Sequence, residues 1–295
     1  MDDMKIHLID GTYELFRAHF SQPPRLAPDG MPVSAVRGFI QSILSLISSQ
    51  NVTHIAVAFD SEIPSFRNKM FSSYKDGSTT PQDLRLQFPL AERVVEALGI
   101  TCWPMLDYEA DDILASAAVQ FSEDTRVDQI VVCSPDKDLC QIVKDNEIVC
   151  LLRKDNFIVN QIEVENKYGF SPSSIPDYLA LVGDSADGIP GISRWGAKST
   201  SAIIGRYVTI DMIPNDYRLW DVNVRGASSL GKSLEDSRDK AVFFKKLTTL
   251  VKDIPIKESI DTLKWEGADP LLFPKLCEEL GISNLINVCS KWRPE

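Results

Sequence analysis

Short apolar runs alternate with amphipathic stretches along the first half of the chain. Apolar residues recur at helical spacing in 33–49, 84–98 and 109–120, which predicts three helices, the second capped by Gly99. The apolar runs around them predict five strands, at 5–9, 54–59, 100–103, 129–133 and 147–151. Because such alternation is typical of right-handed βαβ units, the sequence predicts an α/β fold with a mainly parallel sheet flanked by helices.

The strand pattern fades near residue 160. Beyond it short helices are predicted, and four prolines interrupt them, at Pro172, Pro176, Pro190 and Pro214. We therefore expect an α/β region at 1–170 and a helical region at 171–295. Between Arg218 and Ser237 the chain is rich in glycine and serine, which predicts a mobile loop.

The composition is that of an ordinary globular protein, with 295 residues of which 44% are hydrophobic and 25% charged. No apolar run reaches the roughly 18 residues that span a bilayer, so we expect no membrane association. Met1–Asp10 lacks the pattern of a secretory signal. The six cysteines have no CxxC spacing and several lie in apolar runs, so we expect reduced core residues of an intracellular protein.

The net charge of −11, from 31 basic and 42 acidic residues, taken alone argues against a nucleic-acid partner. The positions of the acids change this conclusion. Asp10, Asp60 and Asp136 each lie at or just after the end of a predicted strand. Ligands of an open α/β sheet bind at the carboxyl ends of its strands, so we expect these acids to converge. Six further acids are expected in the same region: Glu109, Asp111, Asp112, Asp138, Asp184 and Asp187.

So many carboxylates in one region would raise one another's pKa unless cations compensate them. Mg²⁺ prefers oxygen ligands, and two such ions roughly 4 Å apart suit the hydrolysis of a phosphodiester. The three histidines are scattered, which argues against zinc. Taken singly, each acid could instead be a helix N-cap or a turn former. If all nine hold metal, 33 acidic residues remain against 31 basic ones, and the net charge no longer argues strongly against nucleic acid.

Two segments have the features of phosphate contacts. Phe66–Lys75 interleaves cations with aromatic residues, as a backbone-binding segment would, although an amphipathic helix with a solvated basic face is the alternative. Gly188–Ser199 is a glycine-containing turn that enters a helix, where exposed N–H groups can hold a phosphate. An ordinary helix–turn–helix corner would have the same pattern.

Six motifs, in order and at matching spacing, resemble the bacterial and phage 5′–3′ exonuclease (flap endonuclease) family over nearly the whole chain. They are Ile9-Asp10-Gly11-Thr12, Phe59-Asp60, Phe66-Arg67 with Tyr74-Lys75, Tyr108-Glu109-Ala110-Asp111-Asp112, Ser134-Pro135-Asp136-Lys137-Asp138-Leu139 and Gly183-Asp184-Ser185-Ala186-Asp187-Gly188-Ile189-Pro190-Gly191. The family includes the N-terminal nuclease domain of DNA polymerase I, and this chain is similar to its stand-alone form. The resemblance implies a PIN-like sheet, a helical arch at about 66–98, and a helix–two-turn–helix at about 174–206 that grips duplex DNA.

The resemblance also implies site residues. Lys75 and Arg67 would reach the scissile phosphate as catalytic residues. The first Mg²⁺ would be served by Asp10, Asp60, Glu109, Asp111 and Asp136, with Asp112 close by, and the second by Asp138, Asp184 and Asp187. Mn²⁺ is the expected substitute. The main chain of Leu181, Val182, Pro190, Ile192 and Trp195 would bind K⁺, and the DNA-binding residues would be Arg67, Lys69, Lys75, Arg194, Trp195, Gly196, Ala197, Lys198 and Ser199.

The chain departs from the family pattern at two positions. Relatives commonly carry an arginine three residues after the arch lysine, whereas this chain has Ser78, which removes a phosphate contact and bears on the turnover rate. Relatives usually have a Gly-apolar-Gly sequence in the hairpin, where this chain has Arg194-Trp195-Gly196. Losing the first glycine restricts the backbone, while Arg194 adds a positive charge.

We therefore expect a Mg²⁺-dependent, structure-selective nuclease that acts on DNA with 5′ flaps, 5′ overhangs or nicks, as a monomer. One alternative is a PIN-type ribonuclease or an enzyme that removes RNA primers. Another is a flap-DNA-binding protein with little catalysis. The expected location is the cytoplasm, with nucleoid association, for a bacterial protein, or an organelle if a targeting extension has been removed.

Overall fold

The computed structural model describes residues 4–62 and 64–294. Residues 1–3, the start of the N-terminal segment that lacks the pattern of a secretory signal, lie outside the described residues. The helices are α1 (Gly11–Ser21), α2 (Ser34–Ser49), α3 (Phe66–Met70), α4 (Gln82–Arg85), α5 (Phe88–Ala97), α6 (Ala110–Ser122), α7 (Gln161–Tyr168), α8 (Ile175–Val182), α9 (Ala197–Tyr207), α10 (Ala227–Thr248) and α11 (Leu272–Glu279). The strands are β1 (Lys5–Asp10), β2 (His54–Asp60), β3 (Thr101–Met105), β4 (Gln129–Cys133), β5 (Ile148–Leu152) and β6 (Phe157–Val159).

The chain divides into two compact units. The first unit holds the described residues of 1–65, 77–134 and 252–295, and the second holds 66–76 and 135–251. The chain therefore passes from the first unit to the second and back more than once. The division predicted at 170/171 stays a prediction.

Four parallel strands form the sheet of the first unit, in the order β3-β2-β1-β4. Ile9 of β1 lies opposite Val57 on one side and Cys133 on the other. β1 is buried after Lys5, and β2 is buried until Asp60. Burial on both faces is expected for parallel strands that helices cover, and it explains their nearly continuous apolar sequence. The predicted parallel sheet is confirmed.

Amphipathic helices cover this sheet. α6 contacts all four strands, α1 packs against α2, and α5 packs against β3. α5 ends where the sequence predicts, because Gly99 has a φ of +68°, the left-handed conformation that commonly follows a helix. α1 and α6 each follow a strand closely, so their first turns start beside the carboxyl ends of β1 and β3.

The second unit is mainly helical. β5 and β6 pair antiparallel, with Leu151 opposite Ile158. α8 packs against α10, and the Thr248 hydroxyl donates to the Pro176 carbonyl at 3.0 Å. The sequence did not predict β6, a three-residue strand that is mostly exposed and therefore lacks an apolar run.

The loop predicted between Arg218 and Ser237 is wrong in its second half. α10 begins at Ala227 and continues, with a kink at Ser237, to Thr248. Leu230 and Leu234, one helical turn apart, are buried and hold this segment in place. The high glycine and serine content of the segment favoured a loop over the helix that Leu230 and Leu234 indicate.

The six cysteines, all of them described residues, form no disulfide, and all except the half-buried Cys102 are buried, as predicted. Burial raises the pKa of the Cys102 thiol to about 12. Over residues 4–62 and 64–294, no helix combines the length and apolar character that crossing a membrane requires.

Candidate metal centre

Two neighbouring strands of the first unit end in a carboxylate. Asp10 pairs in register with Ala58, so Asp60 lies two residues further along β2, a distance of roughly 7 Å along the strand. Asp10 is buried and accepts hydrogen bonds from the Tyr13 N–H and from the Ser134 hydroxyl, each at 2.8 Å. The first of these bonds makes Asp10 the N-cap of α1.

The first turn of α6 brings further acids to the same edge. The Ala110 N–H donates to Asp60 Oδ1 at 2.8 Å, which fixes the start of α6 beside the end of β2. Glu109 is buried, and its Oε1 accepts from the Ser65 hydroxyl at 2.7 Å. Asp112 is fully buried and accepts from the Glu109 N–H at 3.1 Å, as in a capping box. Asp111 is half-buried. Within this unit, five of the predicted acids therefore lie at the edge of the sheet where the parallel strands end: Asp10, Asp60, Glu109, Asp111 and Asp112.

Three carboxylates of the second unit form a tight group. One ligand oxygen from each of Asp138, Asp184 and Asp187 lies within 4.8 Å of the other two. Asp138 and Asp184 are 6% and 5% exposed, and Asp187 is half-buried. Asp138 Oδ1 is buried and accepts no hydrogen bond. A buried acceptor without a donor is costly, so this oxygen is suited to a cation.

Two lysines neutralise part of this charge. The Lys137 ammonium bonds Asp184 Oδ2 and lies 3.6 Å from Asp138 Oδ1. The Lys75 ammonium lies 2.9 Å from Asp187 Oδ1, and the Lys75 N–H donates to the Asp187 carbonyl at 3.1 Å. Lys75 is therefore held against the loop that carries Asp184 and Asp187.

The electrostatics of this group are unusual. Burial, together with the charges of Asp136, Asp187 and Asp184, raises the pKa of Asp138 well above its ordinary value, although Lys137 opposes the shift. Burial lowers the pKa of Lys137, but Asp138, Asp184 and Asp136 outweigh it, and its pKa lies above the ordinary value. The carboxylates thus keep this lysine charged.

The donor set fits a hard divalent cation. All three ligands are oxygens, they lie within 4.8 Å of one another, and one oxygen is buried without a donor. Among the described residues of the first unit, no three carboxylates are so close. Asp136 is exposed and outside the group of three; its Oδ1 accepts from the Asp138 N–H at 2.9 Å and so shapes the turn.

Arg67 differs from the expectation that it reaches a substrate phosphate. Its side chain is 1% exposed, and its guanidinium donates to the Leu247 and Thr249 carbonyls at 2.8 and 3.1 Å. Arg67 therefore anchors α3 to the end of α10, which is a structural role. Lys69, on the same helix, is exposed as a DNA-binding residue would be.

The segment before α9 presents a mixture of exposed and buried residues. Gly196 is the N-cap of α9, and Ala197 and Lys198 are exposed in its first turn, with Ser199 half-buried. Arg194 is exposed and has a φ of +72°, the left-handed conformation that favours glycine. An exposed helix N-terminus can hold a phosphate.

Trp195 is the second correction among the DNA-binding residues. Its side chain is buried, its Nε1–H donates to the Leu230 carbonyl at 3.2 Å, and its ring packs edge-on against Trp220. The indole therefore holds the turn against α10 and is not available to stack on a base. Of the five main-chain positions for K⁺, Leu181 and Ile192 have carbonyls that accept from the Ile192 and Trp195 N–H groups.

Sequence reasoning missed the pairing of Lys137. The signal was present, because this lysine stands between two acids in Asp136-Lys137-Asp138. Ser65 and Ser134, which orient Glu109 and Asp10, had no signal, because their partners are 44 and 124 residues away.

Comparisons with known proteins show the family to which the chain belongs. A family model for the 5′–3′ exonuclease N-terminal resolvase-like domain matches residues 5–169, and a model for the 5′–3′ exonuclease C-terminal SAM fold matches 170–271. The chain is 30% identical to a 5′–3′ exonuclease of Aquifex aeolicus, over 97% of this chain and 95% of that protein. It is also 30% identical to DNA polymerase I of Bacillus subtilis, over 96% of this chain but only 32% of that protein, so it spans about a third of the polymerase's length.

A solved structure of T5 5′-exonuclease with bound divalent metal ions (zinc) has the same fold. The TM-score is 0.66 at 16% identity, over 96% of this chain and 99% of that one. The fold expected from the motifs is confirmed, and an acidic metal-binding cluster is present. The two family models and the Aquifex relative establish the identity: this chain is a nuclease that belongs to the 5′–3′ exonuclease family.

Proposed function

We propose that this chain is a Mg²⁺-dependent, structure-selective 5′–3′ exonuclease and flap endonuclease that hydrolyses DNA at 5′ ends and flap junctions. The observation that carries the proposal is the group of Asp138, Asp184 and Asp187 with a lysine held against it. Oxygen ligands for a divalent cation, beside an ammonium that can meet a phosphate, are what phosphodiester hydrolysis requires. Family membership supports the direction of attack.

We assign two metal ions to the carboxylates. The first ion would be held by Asp10, Asp60, Glu109, Asp111 and Asp136, with Asp112 supporting Glu109, and the second by Asp138, Asp184 and Asp187. When bound, such ions lower the pKa of water and neutralise charge on the phosphate. Mn²⁺ is the expected substitute for Mg²⁺, since both accept oxygen ligands in similar geometry.

The chain's own residues orient the ligands and the phosphate. Tyr13 and Ser134 hold Asp10 in one rotamer, and Ser65 does the same for Glu109. The Lys75 ammonium stabilises the charge that develops on the phosphate. Arg67 has no part in this step, because its guanidinium is buried against backbone carbonyls.

DNA contacts are assigned to the exposed side chains and to the start of α9. Lys69, Arg194 and Lys198 would meet backbone phosphates, with Gly196, Ala197 and Ser199 contributing N–H groups. The main-chain carbonyls of the turn remain the proposed K⁺ ligands. We place the enzyme in the cytoplasm as a monomer that works on replication and repair intermediates.

The test uses 5′-labelled flap duplexes that differ only in whether the flap is DNA or RNA. Wild type, Asp184→Asn and the exposed-loop control Asp145→Asn are incubated with Mg²⁺ or EDTA. We expect Mg²⁺-dependent cleavage of the DNA flap near its junction, reduced at least about 100-fold in Asp184→Asn and unchanged in the control.

The other outcomes decide between the alternatives. Preferred cleavage of the RNA flap would replace the proposal with a primer-removing or ribonuclease function. Tight flap binding in Ca²⁺ with no cleavage by wild type in Mg²⁺ or Mn²⁺ would leave a DNA-binding protein, and the absence of an arginine at Ser78 would then explain the lost catalysis.

A further inference from the structure

Lys137 lies inside the acidic group of the second unit. It follows Asp136 and precedes Asp138 in the chain, and its side chain is 37% exposed. The ammonium bonds Asp184 and lies 3.6 Å from Asp138 Oδ1, the buried oxygen that accepts no hydrogen bond. A lysine thus takes the position of a counter-ion between two residues assigned to the second metal ion.

An ammonium and a divalent cation compete for these oxygens. Asp138 and Asp184, which Lys137 contacts, are two of the three residues whose ligand oxygens lie within 4.8 Å. Mg²⁺ binds oxygens at about 2.1 Å and an ammonium at about 2.8 Å, through the same lone pairs. The two cations also repel each other at such distances.

The shared oxygens allow exchange of one cation for the other. With Asp136, whose charge also acts on Lys137 and Asp138, the four carboxylates and the two lysines carry a formal charge of −2. A divalent ion that takes the oxygens of Asp138 and Asp184 supplies the positive charge that Lys137 supplies there without metal. Because a lysine side chain is flexible and this one is partly exposed, its ammonium can leave for water.

We propose that Lys137 is a built-in counter-ion of the second metal centre, which stabilises the carboxylates when metal is absent and weakens divalent-cation binding by competing for their oxygens. The inference rests on the proposed function, which assigns Asp138, Asp184 and Asp187 to that centre. It makes Lys137 a positioning residue that sets how much Mg²⁺ the enzyme needs.

The experiment measures Mn²⁺ binding without DNA, from the electron paramagnetic resonance signal of free Mn²⁺. The variants are Lys137→Met, Lys137→Arg and the control Lys144→Met, which removes an exposed lysine paired with Glu147 in the same unit. We expect Lys137→Met to bind Mn²⁺ about 10-fold more tightly than wild type, because one positive charge near the ion is gone. Lys137→Arg and Lys144→Met should bind like wild type.

A double-mutant cycle with Asp184→Asn assigns the effect to this centre. Lys137→Met should gain nothing in an Asp184→Asn background. In EDTA, Lys137→Met should also unfold at a lower temperature than wild type, and saturating Mn²⁺ should reduce the difference. A purely structural role would lower the unfolding temperature without tightening Mn²⁺ binding.

Unchanged or weaker Mn²⁺ binding by Lys137→Met, or a gain that persists in the Asp184→Asn background, would overturn the inference. Flap cleavage by wild type in Mg²⁺ is measured in parallel. If wild type cleaves and Lys137→Met binds Mn²⁺ no more tightly, the inference fails alone. If wild type cleaves nothing, the proposed function fails, whatever the Mn²⁺ titration shows.

Discussion

Neutral donors orient carboxylates in both units, and in the second unit two lysine ammoniums join them. Within the first unit, Asp10, Asp60 and Glu109 accept hydrogen bonds from backbone N–H groups and serine hydroxyls. Within the second, Asp184 and Asp187 accept from lysine ammoniums as well as from neutral donors, the Ala186 N–H and the Tyr74 hydroxyl. A neutral donor fixes the direction of a carboxylate and leaves its charge for a metal ion. An ammonium fixes the direction and also cancels the charge.

The difference indicates that the two groups respond differently to metal and to pH. Carboxylates that carry their own counter-ions are stable without metal but give up part of their attraction for it. We therefore expect metal binding and proton binding to be linked most clearly in the second unit, where Asp138 is buried beside three other acids.

The largest expected effect separates the two groups by function. Asp10→Asn and Asp184→Asn should each slow flap cleavage at least about 100-fold, because loss of a ligand costs more than loss of its support. Only Asp184→Asn should also lose Mn²⁺ binding by the second-unit group. Single-turnover cleavage and a Mn²⁺ titration measure the two effects. Full cleavage by Asp10→Asn would remove the first unit from the catalytic site.

A second prediction concerns the loop that holds Lys75 against Asp187. Gly188 has a φ of +73°, and a Cβ there would lie 2.2 Å from the Ser73 carbonyl oxygen. Gly188→Ala should therefore lower the free energy of unfolding by about 3 kcal/mol, from backbone strain and the clash together. It should also slow cleavage, because the loop must move away from the segment that carries Lys75.

Gly169→Ala is the matched control for that substitution. Gly169 has a φ of +83°, but a Cβ there meets nothing within 4 Å, so only about 1 kcal/mol should be lost. Urea unfolding midpoints compare the two variants. Equal losses would show that the approach of Ser73 to Gly188 is not tight.

A third prediction uses the raised pKa of Asp138. The folded state holds the proton of this carboxyl more tightly than the unfolded state, so the stability that Asp138 contributes is present below its unfolded pKa and is lost as pH rises through the folded pKa. In EDTA at pH 7.5, Asp138→Asn should therefore be more stable than wild type. The gain should shrink as pH falls toward 4.

With Mg²⁺ bound, wild type should become more stable than Asp138→Asn. This reversal distinguishes the loss of a buried charge from a general improvement in core packing. Mg²⁺ at 100 times its dissociation constant should stabilise wild type by about 2.7 kcal/mol, and Asp138→Asn much less. Asp145→Asn, the exposed-loop control of the cleavage test, should gain as much stability from Mg²⁺ as wild type does. Thermal unfolding of wild type and of both variants, each in EDTA and in Mg²⁺ across the pH range, measures these differences in stability. A stability gain that is independent of pH would contradict the assignment to Asp138.

The fold could be predicted where the physical signal is local. β1, β2 and β4 are continuous apolar runs because both faces are buried, and Gly99 marks the end of α5 by its backbone conformation. α10 could not be predicted from composition, since the contacts of Leu230 and Leu234 outweigh the glycine and serine around them.

The site shows the same division. The edge at which Asp10 and Asp60 lie follows from strand direction, which alternation along the chain predicts. The burial of Arg67 does not, because the carbonyls that hold it are about 180 residues away. The same holds for Trp195, whose partner is the Leu230 carbonyl. The family resemblance predicts that Arg67 and Trp195 contact DNA. In the structure both side chains instead stabilise the fold through hydrogen bonds to backbone carbonyls that are far away in the sequence.

The smallest expected effect tests whether Arg194, in the second unit, trades backbone strain for charge. The left-handed φ of Arg194 costs a non-glycine residue about 1–2 kcal/mol, which glycine would relieve. Glycine also loses more chain entropy on folding, and this cancels part of the gain. Arg194→Gly should therefore be more stable by up to about 1 kcal/mol, yet bind flap DNA more weakly and with a salt dependence reduced by one phosphate contact. Arg194→Lys keeps the charge and the strain, so it should bind like wild type without gaining stability. Binding by Arg194→Gly equal to that of wild type would mean that the residue strains the turn without contacting the DNA.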